Sequence, residues 1–512
     1  MSSLPPSNER HSNPLTLIAA LLLLGCLAHA IWAFSIGWNN TINDHHSFRQ
    51  SQTAITAYYL KDKPFKLAYE TPVLGKPWSV PLEMPFYQLA AARLSSAVHV
   101  PLDQAGRGVA ASCYLLLLVP VYFLLREFRV SRPHALLALC ILLVSPFYLF
   151  WSRAFLIESS VLLLCFCYLT CVIAGINRKL RLLLALAVVF GIAAGLAKVT
   201  TWLPFLLIGS LWTIRDWVRW PFPKIFGADL RNRLLVLLAV SGIPFLTALA
   251  WVKYMELHKK LNPLALNSPA FSTSWNFGTL EQKLSPIVWT QILSRAYTLF
   301  GLPLQGWLIL TASIVAVMVT KKRRAEAAIA LALYLLYPII FTNLHFIHDY
   351  YMYANGLFLV VFVGFAMIAL LETDTVRSRI CGWLLLAFVL FSGFSGYAAL
   401  FRPIQEMPNS EILQVTDYLQ KKTPEDSVLI ILGADWNPLV AYYSNRRALM
   451  IPDWSNLTEF QVKQALENLQ GEKIGALLVC GPSHYPAEKL LLQAKAAGLD
   501  FPILQCGQLP LR

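Results

Sequence analysis

Asn43-Asp44-His45-His46-Ser47-Phe48-Arg49-Gln50-Ser51-Gln52-Thr53 sets the reading of the whole chain. One short stretch holds an acid, two imidazoles, a guanidinium, hydroxyls and amides. Just before it, residues 15–38 form an apolar run long enough for one bilayer crossing, which takes about 20 residues. That run exceeds the roughly 7–15 residues of a signal-peptide core, and Gly37-Trp38-Asn39 is a poor cleavage site, so it reads as a retained helix. Ionisable residues at the mouth of an apolar span are costly unless they serve a purpose. The pattern therefore implies a membrane-bound chain with a polar site at one face.

The rest of the sequence agrees. Of 512 residues, 57% are hydrophobic and 14% charged, against about 25% charged in soluble domains. Mean hydropathy is +0.55. The chain is expected to be a polytopic α-helical membrane protein with about eleven transmembrane helices. They are placed near 15–38, 109–126, 134–151, 156–176, 182–197, 199–214, 234–253, 302–320, 326–344, 351–371 and 380–401. The fifth and sixth share the polar hinge Ala197-Lys198-Val199-Thr200.

A net charge of +14 would suggest nucleic acid in a soluble protein. Here the basic residues fall in alternate short loops, which is a topology signal instead. The first two groups are Arg126, Arg129 and Arg132, then Arg178, Lys179 and Arg181. Next come Arg215, Arg219, Lys224, Arg231 and Arg233, followed by Lys321-Lys322-Arg323-Arg324 and finally Arg377 with Arg379. The positive-inside rule puts these loops and the N-terminus in the cytoplasm, and the C-terminal region outside. A bacterial inner membrane with a periplasmic tail fits.

The opposite loops, about 39–108 and 254–301, are long, and long loops are usually functional. Ser51 to Leu60 and Leu82 to Val98 have helical apolar spacing and are expected to lie on the membrane surface. Residues 1–402 form the membrane domain. From 403 to 512 the composition changes: apolar runs at 428–433, 448–451 and 474–480 alternate with helical patterns at 412–421, 438–444, 459–469 and 487–497. This predicts a small exported α/β domain with a largely parallel sheet. Gly433-Ala434-Asp435 is too short for a dinucleotide fingerprint, and no catalytic role is expected there. Cys480 and Cys506 either pair, in an oxidising compartment, or stay as free thiols. The other seven cysteines lie in or beside apolar segments and read as core residues.

The candidate site residues all map to the outer face. Asp44 is the first candidate for a proton acceptor, since poor hydration beside a bilayer raises a carboxyl pKa. An Asx turn or helix N-cap is the plainer use. Glu83, before Pro85, is a second acid or a helix-start charge. His45 and His46 orient Asp44, bind a metal, serve as base themselves or are simply interfacial, and His46 is also a candidate for binding the substrate phosphate. Arg49 offers a planar fork suited to phosphate. Lys198 lies between two short spans and needs an anion, unless it snorkels to the interface. Arg153 and Glu158 flank the second outer loop and either pair with each other or hold substrate. In His345-Phe-Ile-His348-Asp349-Tyr350-Tyr351, His348 and Tyr351 are substrate-binding candidates. HxxH alone is a weak metal signature, so a divalent metal is left open and no other cofactor is implied.

Together these features resemble the GT-C glycosyltransferases that use polyprenyl-phosphate sugars. The likeness is to bacterial members related to protein O-mannosyltransferases and to aminoarabinose transfer onto lipid A. It rests on His46-Ser-Phe-Arg-Gln-Ser-Gln-Thr-Ala54, Glu83-Met-Pro-Phe-Tyr87, Ser145-Pro-Phe-Tyr148 through Glu158, Gly195-Leu-Ala-Lys-Val-Thr200 and His348-Asp-Tyr-Tyr351. It spans roughly 15–371, with a looser match in the tail. The family's usual acidic pair in the first outer loop is replaced here by Asn43-Asp44-His45-His46 or, in another alignment, by Arg49-Gln50. The resemblance implies an inverting transferase. Its donor is a sugar on undecaprenyl phosphate or a similar carrier, and its acceptor is a lipid, glycan or protein. Arg49 and Lys198 would hold the phosphate and Asp44 would act as base. A membrane transporter or lipid flippase is the rival class; it calls for internal repeats and midplane charges, and neither is present in the sequence.

Overall fold

The computed structural model describes residues 14–61, 63–215, 228–265, 273–408, 410–453 and 457–506. Arg219 and Lys224 of the third basic loop lie outside these residues, as does part of the long loop at 254–301.

Among the described residues, seven helices are long and apolar enough to cross a membrane: Pro14–Ser35, Leu102–Glu127, Glu158–Arg178, Arg231–Lys259, Pro303–Thr320, Asp349–Leu371 and Val376–Leu400. The other four expected spans coincide with shorter helices, Arg132–Leu143, Arg181–Ala197, Val199–Ile214 and Arg324–Ile340. The run expected at 134–151 is two helices, because Ser145 takes up an extended backbone ahead of Pro146 and the chain restarts as Pro146–Trp151. The chain is a multi-pass membrane protein. The most enclosed span is Asp349–Leu371, 89% of whose apolar window is buried in protein, whereas Pro14–Ser35 buries 28% and faces outward.

The basic loops meet at one end of the bundle. Arg178 pairs with Glu127 at 2.5 Å, and Arg215 donates to Asn177 at 2.9 Å. Arg323 bonds Glu372 at 2.7 Å and the carbonyls of Phe128 and Arg129. The long loops gather at the other end. There Arg107, 1% exposed, donates to the carbonyls of Trp38, Asn40 and Thr41 and fixes the chain where it leaves the first helix.

The first long loop differs from its expected form. Its helices are Ser47–Leu60 and Phe86–Val98. The first does not lie on a membrane surface: residues 50–57 are all buried, between the bundle and the C-terminal region. The second starts four residues later than expected, at Phe86 after Pro85, because residues 82–84 are non-helical and tied by Tyr69, whose hydroxyl donates to the Glu83 carbonyl at 2.5 Å.

The C-terminal region has a parallel sheet of β1 Val428–Leu432, β2 Arg447–Ile451, β3 Ile474–Val479 and β4 Ile503–Gln505, in the order β2-β1-β3-β4. The three longer strands and the four helices were expected; β4, a three-residue strand directly after Pro502, was not. β1 is buried on both faces, as expected for a strand between parallel neighbours. The free edge of β2 is covered by the first long loop: Gly75 donates to the Ala448 carbonyl at 3.1 Å, and Ala448 and Met450 donate to Pro72 and Val73 at 2.9 Å. An antiparallel bridge links Leu74 and Leu449. Asp103 adds a clamp, accepting from the Tyr442 and Tyr443 hydroxyls at 2.6 Å each. Cys480 and Cys506 are joined as a disulfide.

Candidate functional site

At the loop-bearing end, a cavity of about 550 Å³ opens between the helices and the C-terminal sheet. One wall is apolar and formed by spanning helices, with Leu196, Leu203, Trp251, Val252 and Phe341. The other carries Arg49, Glu83, Lys198, His348 and Tyr351. Five of the nine residues expected at the site thus converge on one space, from segments more than 300 residues apart in sequence.

Each charged group has a structural reason for its place. The turn 43–46 ends with His46 in a left-handed conformation (φ 51°), and the next residues wind into helix Ser47–Leu60. This turns Arg49 toward the cavity. Its guanidinium donates to both Glu83 oxygens at 3.1 Å and to Gln52 Oε1 at 3.3 Å. Burial alone would weaken the Arg49 charge, but the Glu83 carboxylate more than offsets it and holds the pKa above the usual guanidinium range. Gln88 donates a further bond to Glu83 at 3.0 Å.

Lys198 is the one extended residue (φ −163°, ψ 99°) between helices Arg181–Ala197 and Val199–Ile214. Its ammonium pairs with Glu158 at 2.6 Å and lies 4.3 Å from the centre of the Tyr351 ring, a cation–π distance. His348 stacks on Tyr350 and Tyr351 with ring centres 5.3 and 6.0 Å apart. Burial, with His46 nearby, pushes its pKa down to about 4.

The remaining four residues do not line the cavity. Asp44 is half-buried and accepts a bond from Gln50, whose own Oε1 accepts from Phe155 N at 2.8 Å. Burial pushes its carboxyl above the usual range, while Arg153 and Arg107 pull it back. It caps no helix, since His46 holds the N-cap position and no side chain caps there. His46 bonds Asp349 at 2.8 Å. Arg153 and Glu158 do not pair with each other: the turn at 152–157 sends Arg153 to the Gly37 carbonyl at 3.0 Å and Glu158 to Lys198. Burial and Arg107 push Arg153 down to about 10. Among the described residues no three potential metal ligands come together, His345, His348 and Asp349 included.

Several lining residues were not expected, among them Glu256 and Lys259 of the spanning helix Arg231–Lys259. Asp435 and Trp436, from the loop after β1, complete the cavity wall. The signal available was positional: in open parallel sheets, ligands collect at the carboxyl ends of strands.

Bundle, long loops and appended parallel sheet together make a GT-C-like fold. Two solved structures share it. ArnT from Cupriavidus metallidurans in the apo state aligns with a TM-score of 0.57 at 13% identity, over 95% of this chain and 89% of that one. ArnT bound to undecaprenyl phosphate gives 0.57 at 12% identity, over 94% and 89%. No family model matches the chain, and no curated protein matches it in sequence.

Proposed function

We propose that the protein is an integral membrane glycosyltransferase. It moves a sugar from a polyprenyl-phosphate donor to a lipid, glycan or protein acceptor at the outer face of the inner membrane. One observation carries this reading: the cations Arg49 and Lys198, with Lys259 beside Glu256, meet apolar helix side chains in a single cavity. A ligand with an anionic head and a long hydrocarbon tail satisfies both walls, and neither an ion nor a soluble sugar does. The ArnT complex with undecaprenyl phosphate supports the same carrier.

In this mechanism the prenyl chain lies along Leu196, Leu203 and Trp251. Arg49 and Lys198 turn from Glu83 and Glu158 to the phosphate and stabilise the charge that grows as it leaves. Glu83, released from Arg49, accepts the proton of the acceptor hydroxyl, whose oxygen attacks the anomeric carbon from the side opposite the phosphate. The anomeric centre inverts. Asp44 is set back from the cavity and acts through Gln50 and the turn it holds. His348 and Tyr351 border the sugar. Glu158 positions Lys198, His46 positions Asp349, and Arg153 braces Gly37.

The test is transfer of labelled sugar from polyprenyl-phosphate donors to membrane acceptors in vesicles. Arg49→Met, Lys198→Met and Glu83→Gln should each lower the rate by about 100-fold or more, the scale of losing one group that stabilises developing charge. Wild-type rates in all three would remove this site. Substrate flux without any donor would place the protein among transporters instead.

A further inference from the structure

The loop after β1 is built to reach the cavity. Gly433 (φ 76°) and Asp435 (φ 50°) both adopt left-handed backbone directly after the strand. A side chain at Gly433 would meet the backbone of Gly481, so the loops after β1 and β3 pack main chain against main chain. Asp435 accepts from the Asp453 amide at 3.2 Å. The chain crosses from β1 to β2 on one side and from β2 over to β3 on the other. The carboxyl ends of β1 and β3 therefore form the crevice where open parallel sheets present ligands. Here that crevice faces the cavity rather than bulk water: Asp435 and Trp436 line it opposite the helix wall.

The other side of this corner comes from helix Ser47–Leu60. The Phe48 ring lies 6.1 Å from that of Trp436, tilted by 36°. Gln52 is 7% exposed and lines the cavity; its Oε1 receives Arg49, but its Nε2 has no hydrogen-bond partner. A buried amide donor without a partner is costly, and a ligand oxygen would satisfy it.

We infer that Phe48, Gln52, Asp435 and Trp436 form a subsite for a carbohydrate ring. Trp436 supplies a flat apolar face for the ring's C–H surface. Asp435 accepts from ring hydroxyl or amino groups, and Gln52 donates to a ring oxygen. This rests on the cavity taking a polyprenyl-phosphate donor. The ring belongs either to the donor sugar or to the acceptor, and both present the same chemistry.

The experiment uses the full chain in nanodiscs. Binding is measured for bare undecaprenyl phosphate and for undecaprenyl phosphate carrying a hexose, a pentose or an amino sugar. Trp436→Ala and Asp435→Asn should leave affinity for the bare carrier within about twofold. They should remove about tenfold of the gain that the preferred sugar adds, the scale of one hydrogen bond to a charged group. Trp436→Phe, which keeps a flat ring, should retain most of it. That result assigns the subsite to the donor sugar. If sugar-dependent binding is unchanged but transfer to membrane acceptors at saturating donor falls about tenfold, the subsite holds the acceptor ring. Wild-type values in both measurements overturn the subsite, as does a Trp436→Ala variant that loses the bare carrier while Asp435→Asn behaves as wild type. If the wild-type protein does not bind undecaprenyl phosphate, the carrier reading itself fails and takes the subsite with it.

Discussion

Among the described residues, three cations line the cavity and each holds a carboxylate, Arg49 with Glu83, Lys198 with Glu158 and Lys259 with Glu256; the first two matter most here. The second pair is the deeper, its side chains 11% and 3% exposed. Removing one partner of a buried pair leaves an uncompensated charge and costs about 3–5 kcal/mol, whereas replacing both with apolar residues is often neutral. Glu158→Leu should therefore lower the unfolding temperature, and Glu158→Leu with Lys198→Met should restore it while transfer stays lost. Thermal unfolding in detergent alongside the vesicle assay separates these roles. pH acts through His345 and His348, which burial holds down at about 3 and about 4, below the ordinary 6.5. Unfolded histidines bind protons more readily than these two do. Their contribution to stability is thus complete above pH 6.5 and falls as pH drops toward 4. His348→Gln should flatten the fall in unfolding temperature over that window. Arg49, Lys198, His348 and Tyr351 stood out in the sequence as polar residues beside apolar runs. Their pairing did not, because Arg153 and Glu158 look like a natural pair until the turn between them separates their side chains.

Elements were legible where a local signal sets their limits. The hinge at Lys198 was visible as a polar interruption, and the structure breaks the helix there by one extended residue. Amphipathic spacing found helix Ser47–Leu60 but misjudged its surroundings, since an apolar face is needed equally against lipid and against another part of the protein. β4 is too short to carry a periodic signal. Two predictions belong to this scale. Gly106 in helix Leu102–Glu127 faces the Phe155 ring so closely that a Cβ there would collide with it. Gly106→Ala should cost about 1–3 kcal/mol through overpacking, read as a lower unfolding temperature. Asp103→Ala removes the acceptor of two tyrosine hydroxyls. It should weaken the hold on the C-terminal sheet by roughly 2 kcal/mol and speed limited proteolysis between the last span and β1.

For the molecule as a whole, the alternation of basic and non-basic loops was the most informative pattern in the sequence. It returns as a two-ended bundle whose arginines bond one another's loops. Which end faces the cytoplasm is open to a direct test. Cys480 and Cys506 are paired beyond the last span, while Cys381 is exposed at the opposite end of helix Val376–Leu400. With the sheet outside, a membrane-impermeant maleimide on intact spheroplasts should label Cys480 and Cys506 only after reduction, and Cys381 only after lysis. Labelling of Cys381 in intact spheroplasts would reverse the topology. The convergence of distant segments on one cavity was expected in outline. Its sheet-side wall was not, since nothing in Gly433-Ala434-Asp435 reveals that it faces another part of the chain.

The strip at residues 72–75 that covers the β2 edge has a temporal consequence. Arg447 of β2 pairs with Glu70, beside that strip, and the two are 377 residues apart. At ribosomal speeds of about 5–20 residues per second, the strip emerges roughly 20–75 s before the strand it covers. Throughout that delay the Pro72 and Val73 carbonyls and the Gly75 amide lack the β2 groups they bond in the finished fold. Completion of the cavity is therefore among the last events of biogenesis, and a nascent chain halted before its final hundred residues would lack the cavity's sheet-side wall.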